Sequence, residues 1–389
     1  MKKSLATRIL TTSLAIFAML FGAGNLIFPL RIGVQSGGHV FIGFFGFALT
    51  GILLPVLGLM AIVTFQGNYE AFFGRLGKWL GGISIFLSMM ILGPLIAMPR
   101  IMSLSYEMLK AFLPGVPLYV FTAFFAFLAF LTTYRMSRLL DIIGKYLSPA
   151  KVISIVTVIV AGLVTSHYAG TQPIDKGTFF WESLIRGYGT LDLIGAIFFG
   201  SIVVRLLAEY SGKSEAIDIQ KAVKITGTSG LFAGLLLGIV YLGITCLGAF
   251  HGSGLAHLNE GEIFSTIAYT ILGNLGAAII GLVVFLAGLT TMVSITAVVG
   301  EYITRISRQK VSYSVAVGSV LTLCAIVASS GLSALIAYTT PFINFFYPTI
   351  ITLTVCNILY KVYGFSWVKI PVVLTALFSA WFILVPLFW

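Results

Sequence analysis

The chain has 389 residues, of which 59% are hydrophobic and only 9% are charged, and its mean hydropathy is +1.06. This composition is typical of a polytopic membrane protein and excludes an ordinary soluble domain. The formal charge of +11 would suggest a nucleic-acid partner in a soluble protein, but not in a chain dissolved in lipid. We expect a single all-α integral membrane domain over residues 1–389, with no nucleic-acid partner and no cofactor.

Charge-poor apolar runs divide the chain into eleven predicted spans, each long enough to cross ~30 Å of hydrocarbon. Pro341 and Pro348 could divide the tenth run into two short spans, but that division would put Lys361 and Lys369 outside. We therefore prefer eleven spans to twelve. The runs lie near residues 9–34, 40–64, 80–110, 117–134, 150–167, 190–209, 224–250, 274–304, 312–330, 331–360 and 370–388.

The basic residues predict the orientation of these spans. With a cytoplasmic N-terminus and an external C-terminus, all but five of the 23 Lys and Arg residues fall on the cytoplasmic side, Lys151 among them. This asymmetry is the positive-inside pattern of inner-membrane proteins. The five that fall outside are Arg31, Arg100, Lys110, Lys176 and Arg186.

The first span contains a helix-breaking, polar segment. Gly22, Ala23, Gly24 and Asn25 interrupt an apolar run, and Pro29 follows without a backbone N–H. In hydrocarbon an unwound turn persists only where protein or a bound solute supplies hydrogen-bond partners. Close helix packing would also explain the glycines and the asparagine, but their combination with Pro29 favours a solute-binding site.

The sixth span offers a second, weaker interruption at Phe198, Phe199, Gly200 and Ser201. Span six would be the counterpart of span one in a repeat of five helices, and inverted repeats place two broken helices face to face near the middle of the membrane. We predict that these four residues contribute to the substrate site.

The eighth span contains adjacent hydroxyls at Thr290 and Thr291 in a run without charge. Threonine hydroxyls commonly bond back to carbonyls of their own helix. They can also bind a hard cation such as Na⁺ together with the free carbonyls of an unwound helix.

The centres of the predicted spans contain almost no Asp, Glu, His or Lys, and Asp192, Glu209 and Glu301 approach span ends. Proton-driven carriers typically use buried carboxylates or histidines, so this scarcity favours a metal-cation gradient. It also leaves no cluster of the kind an intramembrane enzyme needs. We therefore expect no enzymatic activity.

Three ordered motifs resemble the bacterial branched-chain amino acid carriers, the LIVCS family of branched-chain amino acid:cation symporters. They are Gly-Ala-Gly-Asn-Leu-Ile-Phe-Pro at 22–29, Gly-Pro-Leu-Ile-Ala-Met-Pro-Arg at 93–100, and the run from Leu191 to Val204. The resemblance extends to about residue 360. It implies Na⁺-coupled uptake of leucine, isoleucine and valine across a bacterial inner membrane.

The fold that the resemblance implies is the LeuT-type fold, a five-plus-five inverted repeat with broken helices 1 and 6. Repeat 1 would cover about residues 9–167 and repeat 2 about 190–360, with an extra helix at about 370–388. In that fold a sodium ion lies between the first and eighth helices. The implied sodium ligands are the carbonyls of Ala18, Phe21 and Ala287 and the hydroxyls of Thr290 and Thr291.

The sequence thus predicts a sodium-coupled symporter that works by alternating access. The carboxylate of a zwitterionic substrate would be met by N–H groups at 22–25, and its ammonium by carbonyls around 199–201. Two alternatives remain open at this stage: a transporter of another small neutral amino acid or solute on the same fold, and a channel or passive exporter. An intramembrane enzyme is a third alternative, which the lack of a His, Asp or Glu cluster disfavours. The sequence does not indicate an oligomeric state.

Overall fold

The structure is a computed structural model that describes residues 5–22, 24–134, 148–166, 174–209, 219–252, 254–258 and 260–384. The regular secondary structure of these residues is helical. The helices are α1 (Leu5–Leu20), α2 (Gly24–Gln35), α3 (Val40–Thr64), α4 (Tyr69–Gly74), α5 (Lys78–Leu109), α6 (Leu118–Thr133), α7 (Ser148–Val164), α8 (Lys176–Tyr188), α9 (Asp192–Glu209), α10 (Ile219–His251), α11 (Glu260–Ile306), α12 (Tyr313–Ala328), α13 (Leu332–Tyr363) and α14 (Lys369–Leu384).

Many of these helices have the length and composition of membrane spans. Among the described residues, six segments are long and apolar enough to cross a bilayer: α3, α5, α8 with α9, α10, the last part of α11 and α13. Helices α1 and α2 form one further, bent span, and α6, α7, α12 and α14 are shorter apolar helices. Helix α13 contains both Pro341 and Pro348 without a break. The count of eleven spans stays a prediction.

The first span is broken where the sequence predicts. Helix α1 ends at Leu20 and α2 begins at Gly24. The Gly22 N–H donates to the Asn25 side-chain oxygen at 3.1 Å, so a side chain supplies one of the partners that an unwound turn lacks. Pro29 lies inside α2, and because it has no N–H it leaves the Asn25 carbonyl without its helical donor.

The sixth span is also broken, but the predicted position at 199–201 is wrong. Helix α9 runs without interruption from Asp192 to Glu209, and the break separates it from α8 at residues 189–191. Leu191 has a φ of 60°, a left-handed conformation that is costly for a residue with a Cβ. The span therefore begins near Lys176, well before the apolar run that starts at 190.

The two broken spans pack in equivalent ways. Both halves of the first span, α1 and α2, pack along α10, whereas both halves of the sixth, α8 and α9, pack along α3. An inverted repeat relates span one to span six and span two to span seven, so it predicts this exchange of partners. The arrangement brings the break that follows Leu20 and the break at 189–191 to the same region of the protein.

The third span bends beside these two breaks. A π-helical turn at Ile91–Leu95 contains Pro94 and a non-helical Gly93, and the α-helix resumes at Ala97. Proline and π-turns are both established causes of helix bends. The bend presents Leu92 and Ala97 to the region between the two breaks.

Helices α2 and α10 approach each other through glycine. A Cβ at Gly33 would lie 2.0 Å from the Thr245 carbonyl oxygen, and one at Gly248 would lie 2.2 Å from the Leu30 carbonyl oxygen. Such separations are below any contact between real atoms, so only glycine allows the two backbones to touch here. This contact fixes α2, and therefore the break that precedes it, against α10.

We expect Gly33→Ala to lower the melting temperature of the detergent-purified protein by several degrees. A methyl group at this contact must push two backbones apart, and overpacking typically costs about 1–3 kcal/mol. The control is Gly82→Ala in α5, where a Cβ meets nothing within 4 Å. Equal melting temperatures for the two variants would show that the α2–α10 contact does not hold the first span.

Candidate functional site

A cavity lies where the two breaks meet. It is lined by residues of both broken spans and of the third and eighth spans: Met19, Gly22, Gly24, Asn25, Leu92, Ala97, Arg100, Ile101, Leu104, Gly189, Thr190, Leu191, Asp192, Gly195, Phe199, Thr291 and Ile295. Five of these are among the residues that the sequence predicts for the substrate or the cation. A concave, mostly apolar cavity with a few convergent polar groups is the usual form of a small-molecule site.

The other residues predicted from the sixth span lie away from this cavity. Phe198 packs against the rings of Tyr69 and Phe73, at centroid distances of 5.3 and 5.8 Å. Gly200 faces α3, where a Cβ would lie 2.6 Å from Ile62. The Ser201 hydroxyl donates to the Gly67 carbonyl. These three residues therefore pack α9 against its neighbours. Ala23, which was also predicted for the substrate site, lies outside the described residues.

Asp192, the first residue of α9, forms a polar cluster at the edge of the cavity. The Asn25 amide donates to the Asp192 carboxylate and to the Tyr241 oxygen. All three side chains are buried; Asp192 is 6% exposed and Asn25 is 3% exposed. The cluster connects α2, α9 and α10. Asn25, whose side chain accepts from the Gly22 N–H in the first break, is bonded in this way to Asp192, the first residue after the second break.

Sequence reasoning placed Asp192 near a span end and gave it no role. The structure instead makes it a carboxylate buried at the centre of the fold. Its position directly after the turn Gly189-Thr190-Leu191 is the signal that could have identified it, because the first residues after a helix break face whatever the break binds.

A basic side chain also borders the cavity. The Arg100 guanidinium donates to the Gly189 carbonyl at 3.1 Å and lies 5.1 Å from the centre of the Phe28 ring. It therefore ties the bend of the third span to the break of the sixth. The cavity thus has a carboxylate and a guanidinium in its lining, a combination that suits a zwitterion.

The five residues implied as sodium ligands come together between α1 and α11. The Thr290 hydroxyl donates to the Ala287 carbonyl at 3.2 Å, and the Thr291 hydroxyl donates to the Ala18 carbonyl at 3.4 Å. Carbonyl and hydroxyl oxygens are the ligands of a hard cation, so this set fits one. Thr291 also lines the substrate cavity, so the two sites adjoin.

A cationic side chain reaches this set of oxygens. Lys151, in α7, is 0% exposed. Its Nζ donates to the Ala18 carbonyl at 3.0 Å, to the Phe21 carbonyl at 2.7 Å and to the Thr290 hydroxyl at 2.9 Å. Three of the five implied sodium ligands are therefore hydrogen-bonded to an ammonium group.

The sequence predicts Lys151 on the cytoplasmic side at the end of a span, and the structure shows that its side chain is fully buried. It is the only Lys, Arg, Asp or Glu between residues 149 and 166 of an otherwise apolar run. An ionisable residue within a membrane span is expensive to bury and is a functional candidate by default. The lone lysine in an apolar run was visible in the sequence, but the positive-inside assignment placed Lys151 at the end of its span.

Two solved transporters have a similar fold. The structure resembles Mhp1, a nucleobase-cation-symport-1 family transporter in a closed conformation with bromovinylhydantoin bound, with a TM-score of 0.59 and 12% identity over 97% of this chain and 92% of that one. It resembles MhsT in complex with L-phenylalanine with a TM-score of 0.60 and 16% identity over 95% and 98%. These similarities show the LeuT-type fold.

Curated relatives match most of the chain. The branched-chain amino acid permease BraB of Bacillus subtilis is 30% identical over 90% of this chain and 79% of its own length. The branched-chain amino acid permease BrnQ of Escherichia coli is 30% identical over 88% and 78%. The branched-chain amino acid transport system 3 carrier protein of Pseudomonas aeruginosa is 30% identical over 89% and 79%.

A family model described as "Branched-chain amino acid transport protein" matches residues 5–385. This match covers nearly the whole chain, including both broken spans and the cavity between them. The relatives above are named as permeases and carriers, which are transporters and not enzymes. The chain therefore belongs to the branched-chain amino acid transport protein family.

Proposed function

We propose that this protein is a cation-coupled symporter that imports leucine, isoleucine and valine by alternating access. The observation that carries the proposal is the cavity between the two helix breaks, which has apolar walls and one carboxylate. As a member of its family with several apolar helices, the chain is a multi-pass protein of the bacterial inner membrane. The direct test is radiolabelled leucine uptake into proteoliposomes under an imposed cation gradient.

The charged ends of an amino acid have separate partners in this cavity. We assign the substrate ammonium to the Asp192 carboxylate, which replaces the carbonyls around 199–201 because those lie inside a continuous helix. The substrate carboxylate faces the N-terminal end of α2, where the helix dipole is positive. Arg100 adds a positive charge to the cavity lining.

The aliphatic side chain of the substrate needs only an apolar wall. Such a wall discriminates by size, since one methylene is worth about 1–3 kcal/mol in a hydrophobic pocket. The pocket should therefore separate leucine from alanine better than leucine from isoleucine. The apolar lining residues include Met19, Leu92, Ile101, Leu104 and Ile295.

Two cations are candidates for coupling. Sodium is favoured by the five oxygens at Ala18, Phe21, Ala287, Thr290 and Thr291, although it would have to take the position of the Lys151 ammonium. A proton is favoured by that ammonium itself. Either ion suffices energetically, because one charge that moves through about 100 mV contributes about 2.3 kcal/mol.

We expect Gly24→Leu to abolish leucine uptake while the protein stays folded. A Cβ at Gly24 would meet only the Phe28 ring, at 3.6 Å, so a larger side chain extends into the cavity and not into a helix interface. Uptake and the melting temperature of the purified protein are measured together. Gly82→Leu, which introduces the same side chain at an open position of α5, is the control. Normal uptake by Gly24→Leu would rule out this cavity as the substrate site.

Competition experiments test which amino acids are substrates. Unlabelled leucine, isoleucine and valine should each inhibit labelled leucine uptake at similar concentrations, while lysine and glutamate should not. Their extra charge would be buried against an apolar wall without a partner, which costs several kcal/mol. Strong inhibition by lysine would contradict the apolar pocket, and inhibition by alanine but not by valine would assign the protein to another amino acid.

We expect Asp192→Asn to raise the leucine concentration for half-maximal exchange by roughly 10–100-fold. The substitution keeps the shape but removes the charge, and a hydrogen bond to a charged group is worth about 1.5–3 kcal/mol. Leucine exchange across proteoliposomes is the measurement, and Asp175→Asn is the control, because Asp175 caps α8 at an exposed position. An unchanged concentration dependence in Asp192→Asn would remove the carboxylate from the binding site.

A further inference from the structure

We propose that the groove between α3 and α10 binds an anionic phospholipid of the cytoplasmic leaflet. Its phosphate lies at Lys221 and Lys224, and one acyl chain follows the groove. This site is separate from the substrate cavity and acts on transport through α3. The effect on transport rests on the proposed function, whereas the binding of lipid does not.

The groove exists because α10 presents glycine where α3 passes. The two helices run antiparallel, since a Cβ at Gly234 would lie 2.4 Å from Val56 and one at Gly238 would lie 3.7 Å from Ile52. Glycine leaves a floor without side chains, and leucines of both helices form the walls. The wall residues Leu49 and Leu53 of α3 and Leu231 and Leu235 of α10 are exposed.

Two lysines precede the groove on α10. Lys221 and Lys224 are exposed, and the positive-inside pattern places both on the cytoplasmic side. Lys224 precedes Leu231 by seven residues, about two helical turns, so the two side chains share a face of the helix. Within the part of the chain that the structure describes, neither lysine side chain has an ion-pair or hydrogen-bond partner. Basic residues beside a groove between membrane helices are suited to anionic lipid headgroups.

The distance from the lysines to the groove fits one lipid leaflet. Leu235 lies eleven residues after Lys224, which is about 16 Å along the helix at 1.5 Å per residue. One leaflet contributes half of the ~30 Å of hydrocarbon in a bilayer. A phospholipid whose phosphate lies at Lys224 therefore extends an acyl chain into the groove as far as Leu235.

The same charges disfavour a second copy of the chain as the occupant. A twofold axis along the membrane normal would bring the same face of both copies together. Lys221 and Lys224 of each copy would then lie at the same membrane depth as those of the other, and like charges repel. An anionic lipid instead neutralises the lysines.

An acyl chain in the groove contacts a π-helical turn of α3. This turn, Leu49–Leu53, faces the groove with its two end residues. On its other side the Thr50 hydroxyl donates to the Leu184 carbonyl of α8 at 2.6 Å. A Cβ at Gly187 would lie 1.9 Å from the Thr50 hydroxyl oxygen, so α8 touches α3 two residues before the second helix break. The bound lipid therefore supports the segment that lines the substrate cavity.

Lipid binding is measured by native mass spectrometry of the full-length, delipidated protein in detergent. Dioleoylphosphatidylglycerol is the anionic probe, and dioleoylphosphatidylcholine, which has the same chains and no net charge, is the comparison. We expect one phosphatidylglycerol to bind at least tenfold more tightly than phosphatidylcholine. This comparison uses only the wild-type protein and does not depend on the folding of any variant.

The first variant combines Lys221→Gln with Lys224→Gln. A lysine near an anionic lipid contributes about fivefold in affinity, so we expect the double variant to bind phosphatidylglycerol roughly 30-fold more weakly. The matched control combines Arg308→Gln with Lys310→Gln. These residues are exposed after the end of α11, and their loss changes the net charge by the same amount. The control should bind as the wild-type protein does.

The second variant, Leu235→Trp, fills the groove. We expect at least fivefold weaker phosphatidylglycerol binding at an unchanged melting temperature, because Leu235 is 63% exposed. Ile326→Trp, at a 66% exposed position of α12, is the control and should bind phosphatidylglycerol normally.

The effect on transport is measured as leucine exchange in phosphatidylcholine liposomes with and without one fifth phosphatidylglycerol. We expect phosphatidylglycerol to lower the leucine concentration for half-maximal exchange several-fold in the wild-type protein and in the Arg308/Lys310 control. The Lys221/Lys224 variant should show no such change.

The outcomes separate the proposals. Equal binding of the two lipids, or unchanged phosphatidylglycerol binding in the Lys221/Lys224 variant, would overturn the lipid site. A dimer that Leu235→Trp dissociates would assign the groove to a second copy instead. Selective lipid binding without any effect on leucine exchange would overturn the action through α3. Absence of leucine exchange by the wild-type protein in both liposomes would overturn the proposed function, and lipid binding would still be decided by mass spectrometry.

Discussion

The unpaired carbonyls at the end of α1 are the constraint on which the rest of the site depends. A break at Gly22 leaves backbone groups without helical partners, and lipid offers no replacement. The protein supplies the Lys151 ammonium and the Thr291 hydroxyl to the carbonyl of Ala18. The buried lysine and the hydroxyls of α11 are thus consequences of breaking the first helix.

The same requirement explains the polar cluster on the other side of the break. The Asn25 side chain accepts from the Gly22 N–H and donates to Asp192 and Tyr241. The Lys151 amino group lies on the α1 side and the Asp192 carboxyl group on the α2 side, next to the opposite ends of two helix dipoles, negative at the end of α1 and positive at the start of α2. The broken helix therefore separates two buried ionisable groups, and each has hydrogen-bond partners.

Two ion pairs lie at a distance from the breaks. Arg205 of α9 forms an ion pair with Glu301 of α11, and Arg305 pairs with Glu70 of α4 at 2.9 Å. The first pair joins α9 to α11, and the second joins α11 to α4. Partly exposed ion pairs contribute little stability, so the packing of the buried helices contributes more to the stability of this region than these pairs do.

The sequence by itself determined the membrane class, the broken first span and five residues of the cavity. Composition is independent of packing, and the run Gly22-Ala23-Gly24-Asn25 with Pro29 weakens a helix by local backbone chemistry alone. The family motifs lie on the same residues, so local signals and resemblance agree there.

Only the tertiary structure decided which charges are buried and where the sixth span breaks. Helix α8 carries Glu182 and Arg186, which gave that segment the hydropathy of a loop and moved the predicted break ten residues along the chain. Lys151 and Asp192 likewise stand near the ends of apolar runs, where a charge normally reaches water. Whether such a charged group reaches water or is buried depends on the neighbouring helices. Here the residues around the break between α1 and α2 supply hydrogen-bond partners to both side chains, and the sequence pattern does not show these contacts.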